Sequence, residues 1–238
     1  MAELAIRALQ EMKRAGRKIV GIVAWDAPMA ELAERAGADL VSVGDSVGAN
    51  LWGRSVEEPV SIEEMLIVCK AVRRGVKRAL LSCDVPSGAL EDARRLREEG
   101  GADIVKVLAS PEKIERLVRA NLPVFAEFHG GRPVRQLVEE ARAFETAGAA
   151  LLDFRHSGAE AGAAVAKAVS IPVLGGMGGG PWLDGRLRLA HAAIGYAPSW
   201  LDSPKETYAN VARVTLDALS AYAEDVRQGR QIKGQRNG

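Results

Sequence analysis

The sequence predicts an α/β fold, a (β/α)8 TIM barrel with an N-terminal helix covering its bottom. Three observations carry that expectation. Seven short runs rich in Val, Ile and Leu recur without clean polar alternation, as fits strands buried on both faces. Helical segments separate them with no linker, which implies parallel strands joined by helical crossovers. An open doubly wound sheet would also fit, but no G-x-G-x-x-G follows the first strand and the strand count approaches eight.

The elements follow in order. AELAIRALQEMKRAGRK (2–18) carries charges throughout and reads as the covering helix, not as a signal peptide. Strands are expected at 18–24, 39–45, 78–84, 103–110, 123–128, 149–154 and 171–176, with APSWL (197–201) as the candidate eighth. Ser61 with Glu64 makes a capping-box pattern before MLIVCKAV. Ser110-Pro111 opens a helix with Ile114, Leu117 and Val118 on one face. Val134, Leu137, Val138, Ala141 and Phe144 form a stripe that ends at Gly148. YANVARVTLDALSAYAEDV (208–226) supplies the last helix. The whole of 1–238 is read as one barrel domain, with 229–238 as a frayed basic tail.

Composition narrows the function classes. The 238 residues, 47% hydrophobic and 26% charged, are enough for a full core. A net charge of +1 gives no reason to expect nucleic acid as a partner. No apolar run is long enough to span a bilayer, so no membrane partner and a cytoplasmic location are expected. Cys69 and Cys83 form no metal or redox spacing and suit a reducing compartment; Cys83 reads as a small buried strand residue rather than a nucleophile.

In a parallel barrel the chemistry sits at the C-terminal strand ends. Asp26 follows the first strand there, and Asp45 and Ser46 end the second in VSVGDSVG. Asp84 ends the third, Lys106 lies late in the fourth, and Glu127 and His129 end the fifth. Asp153, Arg155 and His156 end the sixth. Asp26 also suits a cap for the helix near Pro28, and Asp84 before Val85-Pro86 suits a turn. Two carboxylates on neighbouring strands, Asp45 and Asp84, repel unless a cation lies between them, and Mg²⁺ accepts few protein ligands while keeping open positions. Those positions can hold a 2-oxo acid, with Lys106 balancing its carboxylate and Ser46 donating a hydrogen bond. The glycine run GGMGGG (175–180) reads equally as a strand-to-helix turn or as a close approach to a ligand.

KIVGIVAWDAPMAELAERAGADLVSVGDSVGANLWG, then EEPVSIEEML, LLSCDVP, IVKV and IPVLGGMGGGPWLDGRLRLAHAAIGY, together resemble the ketopantoate hydroxymethyltransferase family. That family belongs to the phosphoenolpyruvate mutase/isocitrate lyase superfamily of barrels. The resemblance implies Mg²⁺-dependent hydroxymethyl transfer to a branched 2-oxo acid through a metal-stabilised enolate, a step of pantothenate biosynthesis. It implies 5,10-methylenetetrahydrofolate as co-substrate and a homo-oligomer. Asp45 and Asp84 match the metal-site aspartates, Ser46 and Lys106 match substrate-contacting positions, and Asp26 matches the aspartate of A-Y-D. Three positions depart from the family pattern. Leu108 stands where a glutamate follows the lysine, Glu127 where strand 5 ends in histidine, and Arg155 at the catalytic glutamate of L-E-C in an ungapped match. A small insertion puts Asp153 in that last place instead. The base is therefore expected among Glu127, Asp153 and His156, with Arg155 as a further substrate contact. A divergent C–C lyase or aldolase of the same superfamily, and a non-catalytic small-acid-binding paralogue, are the alternatives.

Overall fold

The computed structural model describes residues 2–55 and 58–234. These form two compact units, Met1–Arg188 and Leu189–Gly238. In the first, the strands are β1 (Ile19–Val23), β2 (Leu40–Val43), β3 (Leu80–Asp84), β4 (Ile104–Leu108), β5 (Val124–His129), β6 (Leu151–Arg155), β7 (Val173–Gly175) and β8 (Gly185–Leu189). They close in sequence order into an eight-stranded parallel barrel, as expected of a TIM barrel. The helices of this unit are α1 (Ala2–Arg14), α2 (Ala27–Arg35), α3 (Val47–Asn50), α4 (Ile62–Gly75), α5 (Leu90–Glu98), α6 (Pro111–Arg119), α7 (Val134–Thr146) and α8 (Ala159–Ala168).

The eighth strand corrects the sequence reading. It is GRLRL, not APSWL; Pro198–Trp200 is a single 3-10 turn, with Pro198 setting its first residue. GRLRL alternates arginine with leucine, so a search for uninterrupted apolar runs passes over it. Its Leu187 is buried while Arg188 is exposed, the signature of a strand covered on one face only.

Local chemistry explains the element ends. Ser61 and Glu64 form the reciprocal capping box that starts α4. The Ser110 hydroxyl accepts from the Lys113 amide ahead of α6, and Pro111 occupies its first position. Helix α1 lies at the bottom as expected. Its Lys13 ammonium donates to the Ala166 and Ile171 carbonyls and pairs with Asp184 at 2.8 Å, binding the helix to the entry of β7 and β8. Outside the barrel, Phe128 of β5 stacks on Phe154 of β6 at 4.3 Å and meets Phe144 of α7 edge-on at 5.5 Å. Buried Glu34 accepts the amides of Lys77, Arg78 and Ala79 at 2.6–2.9 Å, satisfying the chain that leads into β3.

The second unit contains α9 (Ala190–Ala193), the Pro198 turn and α10 (Val211–Arg227). Asn210 caps α10 by accepting from the Arg213 amide. Of the tail 229–238, residues 235–238 lie outside the described residues, and 229–234 form turns and irregular backbone. No described helix is long and apolar enough to cross a membrane.

Candidate active site

Strand register determines which side chains share the mouth. Asp84 pairs with Lys106 across β3 and β4, Glu127 with Asp153 and His129 with Arg155 across β5 and β6. Residues two apart on a strand point to the same face. Glu127 and His129 therefore form successive tiers on one strand, as do Asp153 and Arg155.

Lys106 is the hub of the lower tier. Its ammonium, 3% exposed, lies 2.8 Å from Glu127, 3.1 Å from Asp153 and 3.4 Å from Asp84. Burial alone would favour the neutral amine, but these three carboxylates hold its pKa above the usual lysine range. A lysine held as an ammonium by three carboxylates is a poor nucleophile toward a carbonyl. Arg155 closes the ring from above, 3.0 Å from Glu127 and 3.6 Å from Asp153. Asp153 is fully buried, and its other oxygen accepts the Gly176 amide. Glu127 holds Lys106 through one oxygen and Arg155 and His129 through the other.

Asp84 differs from its neighbours. Burial, then the charges of Asp45 and Glu127, push its carboxyl up to about 6 against the pull of Lys106. Its Oδ2 accepts the Asp45 amide at 3.3 Å, whereas Oδ1 is buried without a hydrogen bond. That oxygen lies 3.4 Å from the Lys106 ammonium, and a buried carboxylate with a second acid beside it is a place a cation would fit. Asp45, Asp84, Glu127 and Asp153 together outnumber Lys106 and Arg155 by two charges, which a divalent ion would balance. Among the described residues no group of three His, Cys, Asp or Glu side chains could hold a metal ion. Two carboxylates with room for waters are a donor set of the kind Mg²⁺ accepts.

The other sequence-predicted residues fall into place unevenly. Asp26 caps α2, its carboxylate accepting the Met29 amide at 2.7 Å. Ser46 precedes α3 without capping it, which leaves its hydroxyl available beside Gly44. His156 is exposed, has φ +51° and donates its amide to the Met177 carbonyl. A non-glycine residue in that region carries local strain. Cys83 points away from the site; burial and neighbouring Cys69 push its thiol up, which makes it no nucleophile. In the GGMGGG run, a Cβ on Gly180 would enter the indole of Trp182, as would one on Gly162 of α8. The Trp182 indole donates to Ser157 at 3.0 Å. Packing around Trp182 therefore accounts for these glycines, and the Gly176 amide for the contact with Asp153. The sequence reading did not bring the three carboxylates together on Lys106, because that grouping follows from the closed register.

The chain is similar to known proteins along most of its length. The ketopantoate hydroxymethyltransferase family model matches residues 3–133 and 129–231. The 3-methyl-2-oxobutanoate hydroxymethyltransferase of Geobacillus kaustophilus is 34% identical over 91% of this chain and 87% of its own length. That of Cyanothece sp. is 34% identical over 94% and 96%. Among solved structures, phosphoenolpyruvate phosphomutase from Streptomyces platensis subsp. rosaceus superposes with a TM-score of 0.65 at 19% identity, covering 95% of this chain and 88% of its own. Phosphonopyruvate hydrolase in complex with oxalate and Mg²⁺ gives 0.64 at 18% over 95% and 88%, and 2,3-dimethylmalate lyase, a PEP mutase/isocitrate lyase superfamily member, 0.61 at 16% over 98% and 89%. These structures share the fold. With two curated relatives above 30% identity across nearly the whole chain, the protein belongs to the ketopantoate hydroxymethyltransferase family of enzymes.

Proposed function

We propose that this protein catalyses Mg²⁺-dependent hydroxymethyl transfer to a branched 2-oxo acid, with 5,10-methylenetetrahydrofolate as the one-carbon donor. The observation that carries the reading is the buried Asp84 carboxylate, which takes the Asp45 amide on one oxygen and has the Lys106 ammonium 3.4 Å from the other. Asp45 and Asp84 would hold the ion, which when bound polarises the ketone of the acid. Lys106 and Ser46 orient the substrate carboxylate, and Arg155, a quarter exposed, adds a second cation at the rim. Asp153 and Glu127 hold these two cations in place, so the charge that binds substrate is preorganised. The names of the relatives, and the Mg²⁺ and oxalate in the phosphonopyruvate hydrolase structure, support the same chemistry. A C–C lyase or aldolase is the second reading, since a shared enolate step would suffer less from losing the folate-side residues, whereas Arg155, at the place an ungapped resemblance gives to the catalytic glutamate, favours a non-catalytic acid-binding member.

Deuterium uptake at C3 of 3-methyl-2-oxobutanoate, followed by NMR in D₂O, tests the proposal. Exchange is expected with Mg²⁺ and is expected to stop with chelator. Product on adding methylenetetrahydrofolate supports the transferase; exchange without product moves the assignment to the lyase. No exchange with any of several 2-oxo acids that demonstrably bind would make the protein a non-catalytic acid-binding member.

A further inference from the structure

We infer that His129, held by Glu127, is the proton acceptor of this site. The inference rests on the enolisation chemistry proposed above but concerns a residue that the family pattern does not supply, since there the strand-5 histidine stands at the position of Glu127.

The argument begins by elimination. Asp153 is fully enclosed and spends both oxygens on the Gly176 amide, Lys106 and Arg155. Glu127 touches Lys106 and Arg155 at 2.8 and 3.0 Å; a carboxylate paired with two cations is a poor base. Leu108 and Arg155 cannot accept a proton. Among the described residues no carboxylate orients the His156 ring, and its backbone is strained. His129 has what a general base needs. It ends β5 on the face that carries Glu127 and lies level with Arg155 across β6. Its Nε2 lies 3.3 Å from Glu127 Oε1, and its side chain is 46% exposed at the open mouth.

A carboxylate at one ring nitrogen selects the tautomer with the proton there and leaves the other nitrogen a bare lone pair. Glu127 thus donates no proton and takes none: it orients the ring and stabilises the imidazolium that forms. In the step, Nδ1 of His129 takes the C3 proton of the 2-oxo acid. The C–H electron pair becomes the C2–C3 double bond, and the carbonyl π pair moves to the ketone oxygen. The imidazolium then passes its proton to solvent through the open mouth. The charged and titratable groups around the ring are Glu127 on its own strand, Arg155 and His156 from β6, and Arg132, which donates to the His129 carbonyl and pairs with Glu140 of α7.

The protein has only three histidines, His129, His156 and His191, so long-range ¹H–¹⁵N correlation spectra of histidine-labelled protein can resolve each ring. His129 is expected as the Nε2–H tautomer with a hydrogen-bonded Nε2 shift, and Glu127→Ala, which removes the acceptor, should move that shift to the value of a solvent-exposed ring. An Nδ1–H tautomer in the wild type, or no change in Glu127→Ala, overturns the dyad whatever the activity. In the C3 exchange assay, His129→Gln should lose about 10²–10⁴-fold. His129→Ala should lose as much and recover in part with added imidazole, which a merely structural residue would not do. If His129→Gln retains exchange while His156→Gln or Glu127→Gln loses it, the inference falls and the enolisation reading stands. If the wild type exchanges no 2-oxo acid, the enolisation reading falls and takes this catalytic role with it.

Discussion

Asp84→Asn should stabilise the metal-free protein while removing its response to Mg²⁺. The cause is the cost of keeping a charged carboxylate at a site 10% exposed beside two other acids. Burial first, and Asp45 and Glu127 after it, raise the Asp84 carboxyl from 3.8 to about 6. A shift of about two units corresponds to about 3 kcal/mol. The sign follows from linkage. The folded state holds this proton more tightly than the unfolded chain, so stability falls as pH rises from 3.8 towards 6, and the full cost persists above that. Asparagine escapes the cost. The variant gives up the longest of the three Lys106 contacts, 3.4 Å, while Glu127 and Asp153 still hold the ammonium. A net gain of about 1–3 kcal/mol at pH 8 is expected, or roughly 3–9 °C in Tm for a chain of this size, shrinking to nothing near pH 4. Thermal unfolding by circular dichroism in chelator at pH 4, 6 and 8 reads this directly. Added Mg²⁺ should then raise the wild-type Tm and leave the variant unmoved. A variant no more stable than wild type at pH 8, or one whose gain is the same at pH 4, would refute the reasoning.

Three further outcomes follow from other parts of the structure. Asp45→Asn should weaken Mg²⁺ binding by calorimetry and also lower the Asp84 carboxyl, because the Asp45 charge helps to raise it; unchanged affinity in both aspartate variants would remove the metal assignment. Glu34→Ala strips the acceptor from three amides before β3 and should cost about 2–4 kcal/mol by urea unfolding. Burial opposes the Glu34 charge, but those amides and Arg78 hold its pKa below the usual range, so this contribution is present above about pH 4.5 and fades as pH falls through the lowered value. Gly162→Ala places a methyl group in the Trp182 indole and should destabilise by about 1–3 kcal/mol. Trp182→Ala in the same background should relieve the clash, and an additive pair of effects would show that the two residues are not in contact.

The barrel was legible because its physics is repetitive. A strand buried on both faces must be a short apolar run, and seven of the eight obey that rule. GRLRL escaped because Arg186 and Arg188 break the run, and only the period-2 placement of Leu187 and Leu189 marks it. The mouth was legible in the same way, since any polar residue ending a buried strand stands out from its neighbours. What the sequence does not display is pairing. Nothing in the spacing of residues 84, 106, 127 and 153 says that one ammonium touches three carboxylates; that needs the closed register. The role of Asp26 as the α2 cap was available from the nearby Pro28, and that local reading describes what its carboxylate does here.

The three departures from the family pattern make sense as one rearrangement rather than three losses. Leu108 lies at the rim of β4, 61% exposed, at the place where the resemblance implies a glutamate two residues beyond Lys106. Glu127 from β5 and Asp153 from β6 surround the ammonium instead. Those acids bring negative charge to the region where the family would hold its catalytic glutamate, and a further glutamate at 155 would leave the cluster with one cation against five carboxylates. Arginine at 155 resolves the conflict, because it lies within reach of both Glu127 and Asp153. His129 stands at the outer position of β5, with its ring 3.3 Å from the acid one tier below. The site is thus charge-balanced in a new way around an old centre, and that balance ties the identities of residues 108, 127 and 155 to one another.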